Sequence, residues 1–97
     1  MDEPKKEQSW HLYMVRCADN SLYCGITTDI VRRVKEHNGS KRGARYTSKR
    51  RPVVLVYLEF IGTSMVSAMK REYRVKRLHR PKKEALIKSD SNLVPKV

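Results

Sequence analysis

Residues 11–26 read HLYMVRCADNSLYCGI, and this stretch decides the fold. Two runs that favour a pleated strand flank residues 18–20, and Asn20 tolerates the left-handed backbone of a turn. The stretch therefore predicts a β-hairpin with a three-residue loop. Because side chains alternate along a strand, a loop with an odd number of residues places Tyr13 and Tyr23 on the same face of the sheet.

Helices and one further strand follow the hairpin. The predicted elements are a helix over about 30–37, a basic loop over 39–51, a well-buried strand over 53–60, a long helix over about 65–78 and a short helix over 82–88. The expected fold is α+β, a three-stranded antiparallel sheet flanked by helices in the order β-β-α-β-α-α. We expect a disordered tail over 1–9, one domain over 10–88 and a flexible tail over 89–97.

The chain carries 22 basic and 10 acidic residues, which gives a net charge of +12 at pH 7. Basic residues are densest in two stretches, with six in 41–51 and eight in 70–83, and this indicates a surface that follows a phosphate backbone. Nucleic acid, either DNA or RNA, is the expected partner. The residues expected to contact nucleic acid are Lys41, Arg42, Arg45, Lys49, Arg50, Arg51 and Lys76.

A membrane protein and an exported protein are not expected. No run reaches the roughly 18 apolar residues that a membrane span needs, and the first residues lack the apolar segment of a secretory signal. Cys17 and Cys24 lack the spacing of a zinc or redox motif, so we expect free thiols. These features together favour a monomer in the cytoplasm.

The long predicted helix carries an acidic side chain at an unexpected position. Helical periodicity predicts an apolar inner face made of Met65, Ala68, Met69 and Val75. Glu72 falls in the middle of that face, where a carboxylate needs a partner. Two interpretations stay open: an ion pair with Lys76 one turn later, or a carboxylate directed at a cleft to bind a hard cation such as Mg²⁺.

The hairpin and the first helix leave similar alternatives. Tyr13 and Tyr23 are either ordinary core aromatics or functional phenols. Arg33 and His37 border the inner stripe of the helix, so they are either a snorkelling arginine and a core histidine, or a phosphate ligand and a proton shuttle. Gly25 weakens a strand interior, which indicates close approach by a ligand or another backbone.

Four of these residues also form a series along the chain. Tyr13, Tyr23 and Arg33 follow one another at intervals of ten residues, and Glu72 comes later on a helix. In this order and spacing they resemble the GIY-YIG nuclease domain, and in particular its small single-domain bacterial subgroup. The two tripeptides that name the family stand here as HLY (11–13) and YCG (23–25), and the resemblance extends over residues 11–87.

The resemblance implies a metal-dependent phosphodiesterase. Glu72 would bind a single Mg²⁺ or Mn²⁺ ion that polarises the scissile phosphate. Tyr23 would accept a proton from the attacking water, Tyr13 would orient water, and Arg33 would stabilise charge on the phosphorus. His37 would assist proton transfer. The implied activity is that of a DNA endonuclease, structure-specific or nicking, in repair or recombination.

Two further points follow from the resemblance. Lys76 would favour ionisation of a phenol or contact phosphate. Many relatives carry an active-site Asn after the helical Glu, whereas the first Asn after Glu72 in this chain is Asn92. Specificity would come from the basic loop, a protein partner or the shape of the substrate.

Two alternatives to a nuclease stay open: a non-catalytic nucleic-acid-binding module on the same fold, and an accessory subunit whose basic helix docks on an acidic protein.

Overall fold

The computed structural model describes residues 8–39 and 41–95, so most of the predicted N-terminal tail lies outside the described residues. The elements are β1 (Trp10–Arg16), β2 (Leu22–Thr27), α1 (Ile30–Gly39), α2 (Arg45–Ser48), β3 (Val54–Gly62), α3 (Met65–Lys76) and α4 (Arg80–Lys88). The predicted α+β class and antiparallel sheet are confirmed, with the strand order β2-β1-β3. Every helix in the described ranges is too short or too polar to cross a bilayer.

The hairpin has the geometry that its sequence predicts. Asn20 adopts the left-handed backbone, with φ at 71°. Tyr13 pairs with Gly25, and Val15 pairs with Tyr23, so both tyrosines project from the same face of the sheet. Their ring centroids lie 6.5 Å apart.

Each face of the sheet carries its own core. The face covered by α3 and α4 buries Leu12, Met14, Cys24, Tyr57 and Val75. The face covered by α1 buries Tyr13, Val15, Cys17 and Val53. The two cysteines therefore lie in different cores, and both are free thiols as predicted. Alternate residues of β1 supply both cores because successive side chains of a strand point to opposite faces of the sheet.

The third strand differs from its prediction. A run of β-branched residues indicated a well-buried strand, but Tyr57 is the only fully buried residue of β3. The reason is topological, because β3 lies at one edge of the sheet and the central position belongs to β1. An edge strand pairs on one side only and keeps more of its surface open.

The long helix α3 buries a narrower face than periodicity predicts. Ala68 and Val75 are fully buried, whereas Met65 and Met69 are half exposed. The inner face is therefore centred on Ala68 and Val75, and the prediction for the two methionines is wrong. As a result, Glu72 lies at the border of the buried face, with 25% of its side chain exposed.

Part of the predicted basic loop forms the short helix α2, which the sequence analysis missed. The Thr47 hydroxyl donates to the Ala44 carbonyl at 3.0 Å, and the Ser48 hydroxyl donates to the Arg45 carbonyl at 2.8 Å. Small polar side chains of this kind hold a single helical turn through local bonds to the backbone. This turn places Thr47 against α1.

Residues 89–95 belong to the predicted flexible tail, yet they are hydrogen-bonded to the outer edge of β3. The Asn92 side chain donates to the carbonyls of Val56 and Ile87, both at 2.8 Å, and accepts from the Leu58 amide at 3.1 Å. The Leu93 amide donates to the Leu58 carbonyl at 2.9 Å. Asn92 is therefore held at β3, on the opposite edge of the sheet from β2.

Candidate active site

The α1 face of the sheet contains a closed hydrogen-bonded network. The Tyr13 hydroxyl lies 2.8 Å from His37 Nε2, and His37 Nδ1 lies 2.7 Å from Thr47 Oγ1. Because the Thr47 hydroxyl donates its proton to the Ala44 carbonyl, it accepts from His37 Nδ1. Nε2 is then an acceptor, and the Tyr13 phenol donates to it. We call Tyr13, Arg33, His37 and Thr47 the closed network.

Burial keeps the two titratable rings of the closed network neutral. Desolvation raises the pKa of Tyr13 to about 12, against a smaller lowering by the hydrogen bond from Arg33. Desolvation, followed by the positive charge of Arg33, lowers the pKa of His37 from 6.5 to about 4. Both ring nitrogens of His37 are engaged, and the residue is fully buried. It therefore orients Tyr13, and the predicted part of His37 in proton transfer stays a prediction.

Arg33 is fixed at the boundary between the closed network and solvent. Its Nε donates to the Tyr13 hydroxyl at 3.2 Å, and its Nη1 donates to the Arg42 carbonyl at 2.7 Å. Glu36, one turn later on α1, lies 3.3 Å from the same Nη1. The guanidinium is thus held by the sheet, the basic loop and its own helix.

Tyr23 lies beside the closed network in different surroundings. Its ring meets the His37 ring edge-on at 5.2 Å and stacks on Tyr46 at 5.9 Å, and Lys76 Nζ lies 5.7 Å from its centroid. The ring is held on several sides. Among residues 8–39 and 41–95, however, the Tyr23 hydroxyl has no hydrogen-bond partner, so it remains available to water or substrate.

Glu72 is paired with Lys76, the residue whose ammonium group lies near the Tyr23 ring. Its Oε2 lies 3.5 Å from Lys76 Nζ, so the ion pair anticipated from the sequence is present. Burial, and then the negative charge of Glu72, raise the pKa of the Cys24 thiol to about 12, which places the carboxylate near β2 on the α3 face. Tyr23 belongs to the opposite face. Lys76 therefore joins the carboxylate to the phenol across edge strand β2.

The described residues do not form a metal site with three or more protein ligands of the usual His, Cys, Asp or Glu type. They contain no group of three or more His, Cys, Asp or Glu side chains that could hold an ion. Mg²⁺ commonly uses one or two protein carboxylates together with waters and substrate phosphates. A single, partly exposed carboxylate such as Glu72 fits an ion shared with a substrate, and it does not fit a preformed protein site.

The basic residues of the 41–51 segment serve two different ends. Lys41, Arg45 and Arg51 line an open groove of about 420 Å³ together with Gly39, Gly43 and Ser48. Lys49 is exposed. Arg51 also donates to the His37 carbonyl at 2.6 Å, and the Arg42 carbonyl accepts from Arg33. The segment thus exposes positive charge to solvent, and it also forms hydrogen bonds to His37 and Arg33 of the closed network.

Three residues of the site were missed or misjudged from the sequence. Thr47 completes the closed network and Tyr46 stacks on Tyr23, but no role was predicted for either. Gly25 does permit a close approach, but the neighbour is the Tyr13 ring. A Cβ at Gly25 would lie 2.6 Å from the Tyr13 hydroxyl oxygen. The hairpin register pairs Gly25 with Tyr13, and that signal could have identified this neighbour.

Comparison with known proteins identifies the family of this chain. The family model described as the GIY-YIG catalytic domain matches residues 9–85. The chain belongs to the GIY-YIG family. Similar proteins include UPF0213 protein DP2720 of Desulfotalea psychrophila, which is 52% identical over 81 residues, 84% of this chain and 73% of the relative. UPF0213 protein YazA of Bacillus subtilis is 49% identical over 80 residues, 82% of this chain and 79% of the relative.

Two solved GIY-YIG relatives support the fold. The solution NMR structure of UPF0213 protein BH0048 from Bacillus halodurans is 42% identical, with a TM-score of 0.55 over 87% of each chain. That of protein EF2693 from E. faecalis is 39% identical, with a TM-score of 0.57 over 91% of this chain and 88% of the relative. The predicted family and subgroup are confirmed. The names of these relatives state no substrate or metal.

Proposed function

We propose that this chain is a metal-dependent DNA endonuclease that hydrolyses phosphodiester bonds and acts as a monomer in the cytoplasm. Membership of the GIY-YIG family supports a nuclease. The observation that carries the proposal is the contrast between the two tyrosines. Tyr13 is buried and fully engaged, whereas Tyr23 is half buried beside Lys76, and its hydroxyl has no hydrogen-bond partner among the described residues.

Tyr23 is the proposed general base. As a phenolate it would accept a proton from the water that attacks phosphorus, and the leaving oxygen would take a proton from solvent. A phenol ionises near pH 10 in water, and a neighbouring cation favours the ionised form. Lys76 Nζ, 5.7 Å from the centre of the Tyr23 ring, supplies such a charge.

Arg33 and its supports are the proposed phosphate-binding element. A guanidinium held in place before the substrate arrives stabilises developing negative charge without reorganisation. Tyr13, the Arg42 carbonyl and Glu36 hold Arg33, and His37 in turn fixes Tyr13. We therefore assign Tyr13 and His37 to positioning, and Arg33 to contact with the phosphate.

Glu72 is the proposed ligand of one Mg²⁺ or Mn²⁺ ion. When bound, such an ion supplies Lewis-acid chemistry at a phosphate oxygen. The carboxylate would share it with the substrate, and Lys76, its present partner, would stay beside Tyr23. The groove lined by Lys41, Arg45 and Arg51 would follow the backbone on either side of the scissile bond. Nicking or structure-specific cleavage in repair or recombination is the activity that we propose.

A non-catalytic nucleic-acid-binding module is the second candidate. One observation favours it: Glu72 is already paired with Lys76, and the described residues contain no group of three or more His, Cys, Asp or Glu side chains that could hold an ion. In such a module the pair would only stabilise α3, and the basic surface would bind DNA without cutting it.

The test is cleavage of supercoiled and branched DNA, with RNA alongside, by purified protein with Mg²⁺, with Mn²⁺ and with a chelator. Glu72→Ala and Arg33→Ala should abolish cutting, and Glu72→Ala should preserve or tighten DNA binding because a negative charge is lost. Arg32→Ala, an exposed neighbour on α1, is the matched control and should cut normally. Binding without metal-dependent cutting on every substrate would favour the second candidate. Equal loss of binding and cutting in Glu72→Ala would refute the metal-ligand role.

A further inference from the structure

Tyr46 and Arg50 form an exposed planar pair next to the candidate general base. The Tyr46 ring packs on Tyr23 with an interplanar angle of 28° and still keeps 39% of its surface open. The Arg50 guanidinium carbon lies 4.0 Å from the centre of the Tyr46 ring, and 37% of its side chain is exposed. We call Tyr46 and Arg50 the stacking platform.

The stacking platform is held in place before any ligand binds. Arg50 Nη1 donates to the Tyr46 carbonyl at 2.7 Å, and Arg50 Nε donates to Asp19 in the hairpin turn at 3.0 Å. These two bonds come from the helix α2 and from the β1–β2 loop, so they fix the guanidinium from both sides. A planar group held in this way loses little conformational entropy when a ligand stacks on it.

Exposed aromatic rings and guanidinium planes are the surfaces on which proteins stack unpaired nucleobases. Such stacking tolerates any base because every base has a π-face. Within a continuous duplex, however, the faces of each base are already covered by its neighbours. A platform beside the reacting centre therefore selects nucleic acid that can present an unstacked base.

We propose that the stacking platform binds one unstacked nucleobase of the substrate beside the scissile phosphate. This proposal rests on the proposed nuclease function and names the feature of the substrate that the site selects. The base comes either from a single strand or from a nucleotide displaced from a duplex, since both present the same π-face. Tyr46 is then a residue for specificity, and its ring also supports Tyr23.

The first experiment measures binding with Glu72→Ala protein, so that cutting does not interfere. Oligonucleotides carry the fluorescent base 2-aminopurine at successive positions, either in a single strand or as a one-nucleotide bulge in a duplex. We expect quenching at one position in at least one of these two formats, and none in a continuous duplex. The format that quenches identifies the source of the base.

Variants of Tyr46 separate stacking from support of the fold. Tyr46→Phe keeps the ring and should bind as the parent does, whereas Tyr46→Leu should lose the quenching and roughly fivefold to 150-fold in affinity for that format. Tyr73→Leu is the matched control, because Tyr73 is 63% exposed and also lies near an arginine, 5.2 Å from Arg77, but lies on α3. Tyr73→Leu should leave both the quenching and the affinity unchanged.

An abasic nucleotide at the quenched position completes the test. Removing the base should cost the parent Glu72→Ala protein as much affinity as the Tyr46→Leu change costs on the intact substrate. When base and ring are both removed, the loss of affinity should be no larger than for either removal alone. Additive losses, or equal binding by Tyr46→Phe and Tyr46→Leu, would overturn the stacking role while leaving the nuclease proposal intact. Failure to bind any nucleic acid would overturn both.

Discussion

Tyr13 and Tyr23 share one hairpin and one face of the sheet, yet their surroundings are opposite. Tyr13 is 1% exposed, and its hydroxyl is bonded to both Arg33 and His37. Tyr23 is half buried, and its hydroxyl meets no partner in the described part of the chain. The difference follows from position, because Tyr13 lies on the central strand and Tyr23 on an edge strand. The two tyrosines of one hairpin thus differ in their proposed roles. Tyr13 positions Arg33, and Tyr23 is available to react.

Removing the hydroxyl of each tyrosine in turn tests this difference between Tyr13 and Tyr23 most directly. Tyr23→Phe should slow cleavage by about 10²- to 10⁴-fold, the usual worth of a general base, and should shift the free energy of unfolding by less than about 0.5 kcal/mol. Tyr13→Phe should cost about 1–3 kcal/mol of stability because a buried His37 nitrogen loses its donor. Cleavage assays and urea unfolding measure the two effects. A Tyr23→Phe protein that cuts normally would contradict the assignment.

The contact between Gly25 and Tyr13 tests how tightly the closed network is packed. In Gly25→Ala the new Cβ would lie 2.6 Å from the Tyr13 hydroxyl oxygen and 2.8 Å from its Cζ, so the ring must move. We expect a loss of about 1–3 kcal/mol in unfolding free energy. Gly39→Ala, where no atom lies within 4 Å, is the control and should be neutral or stabilising by up to about 1 kcal/mol. Equal effects of the two substitutions would mean that the network is loosely packed.

Acid should destabilise the protein through His37. The unfolded chain takes up a proton on this histidine near pH 6.5, whereas the folded protein resists until about pH 4, so protons favour the unfolded state in that interval. Unfolding free energy should fall by up to about 1.4 kcal/mol per pH unit as the pH drops from 6.5 to 4. Carboxylates titrate in the same range, so the measured quantity is the difference from His37→Gln, whose slope should be smaller. Identical slopes would show that His37 is not held neutral.

The smallest effect concerns the open groove. Arg45→Ala removes one groove charge and should lower the slope of log affinity against log salt by about 0.9 for duplex DNA, with equal weakening for all sequences. Arg32→Ala removes a charge from the exposed side of α1 and should leave the slope unchanged. A loss that depends on base sequence would indicate base readout by Arg45.

Local patterns in the sequence sufficed for the hairpin and its register. Alternation and one turn residue, Asn20, placed Tyr13 and Tyr23 on a common face, and the order of the elements followed from caps and breakers. The contact between His37 and Thr47 was not predictable in this way, because no periodicity links α1 to a single helical turn ten residues later. Helical periodicity had already marked Arg33 and Glu72 as candidates, and the family resemblance supplied the roles that we propose for them.

The sequence also did not predict that β3 lies at an edge of the sheet, or which face of α3 is buried. Burial of β3 depends on which strand occupies the centre of the sheet, and a β-branched run does not carry that information. The inner face of α3 depends on how the helix rotates against the sheet, so Met65 and Met69 were misplaced. Packing between residues far apart in the sequence decides both the burial of β3 and the inner face of α3.

The attachment of Asn92 to β3 has a consequence for biosynthesis. Leu58 receives its edge partner from a residue 34 positions later. While the ribosome is still making that later segment, the outer side of β3 has its amides and carbonyls exposed, and a bare strand of this kind can recruit other chains into aggregates. Once Asn92 and Leu93 emerge, they occupy the partners of Leu58 and blunt that edge. The edge of β3 at Leu58 is therefore covered only in a chain that already contains residues 92 and 93.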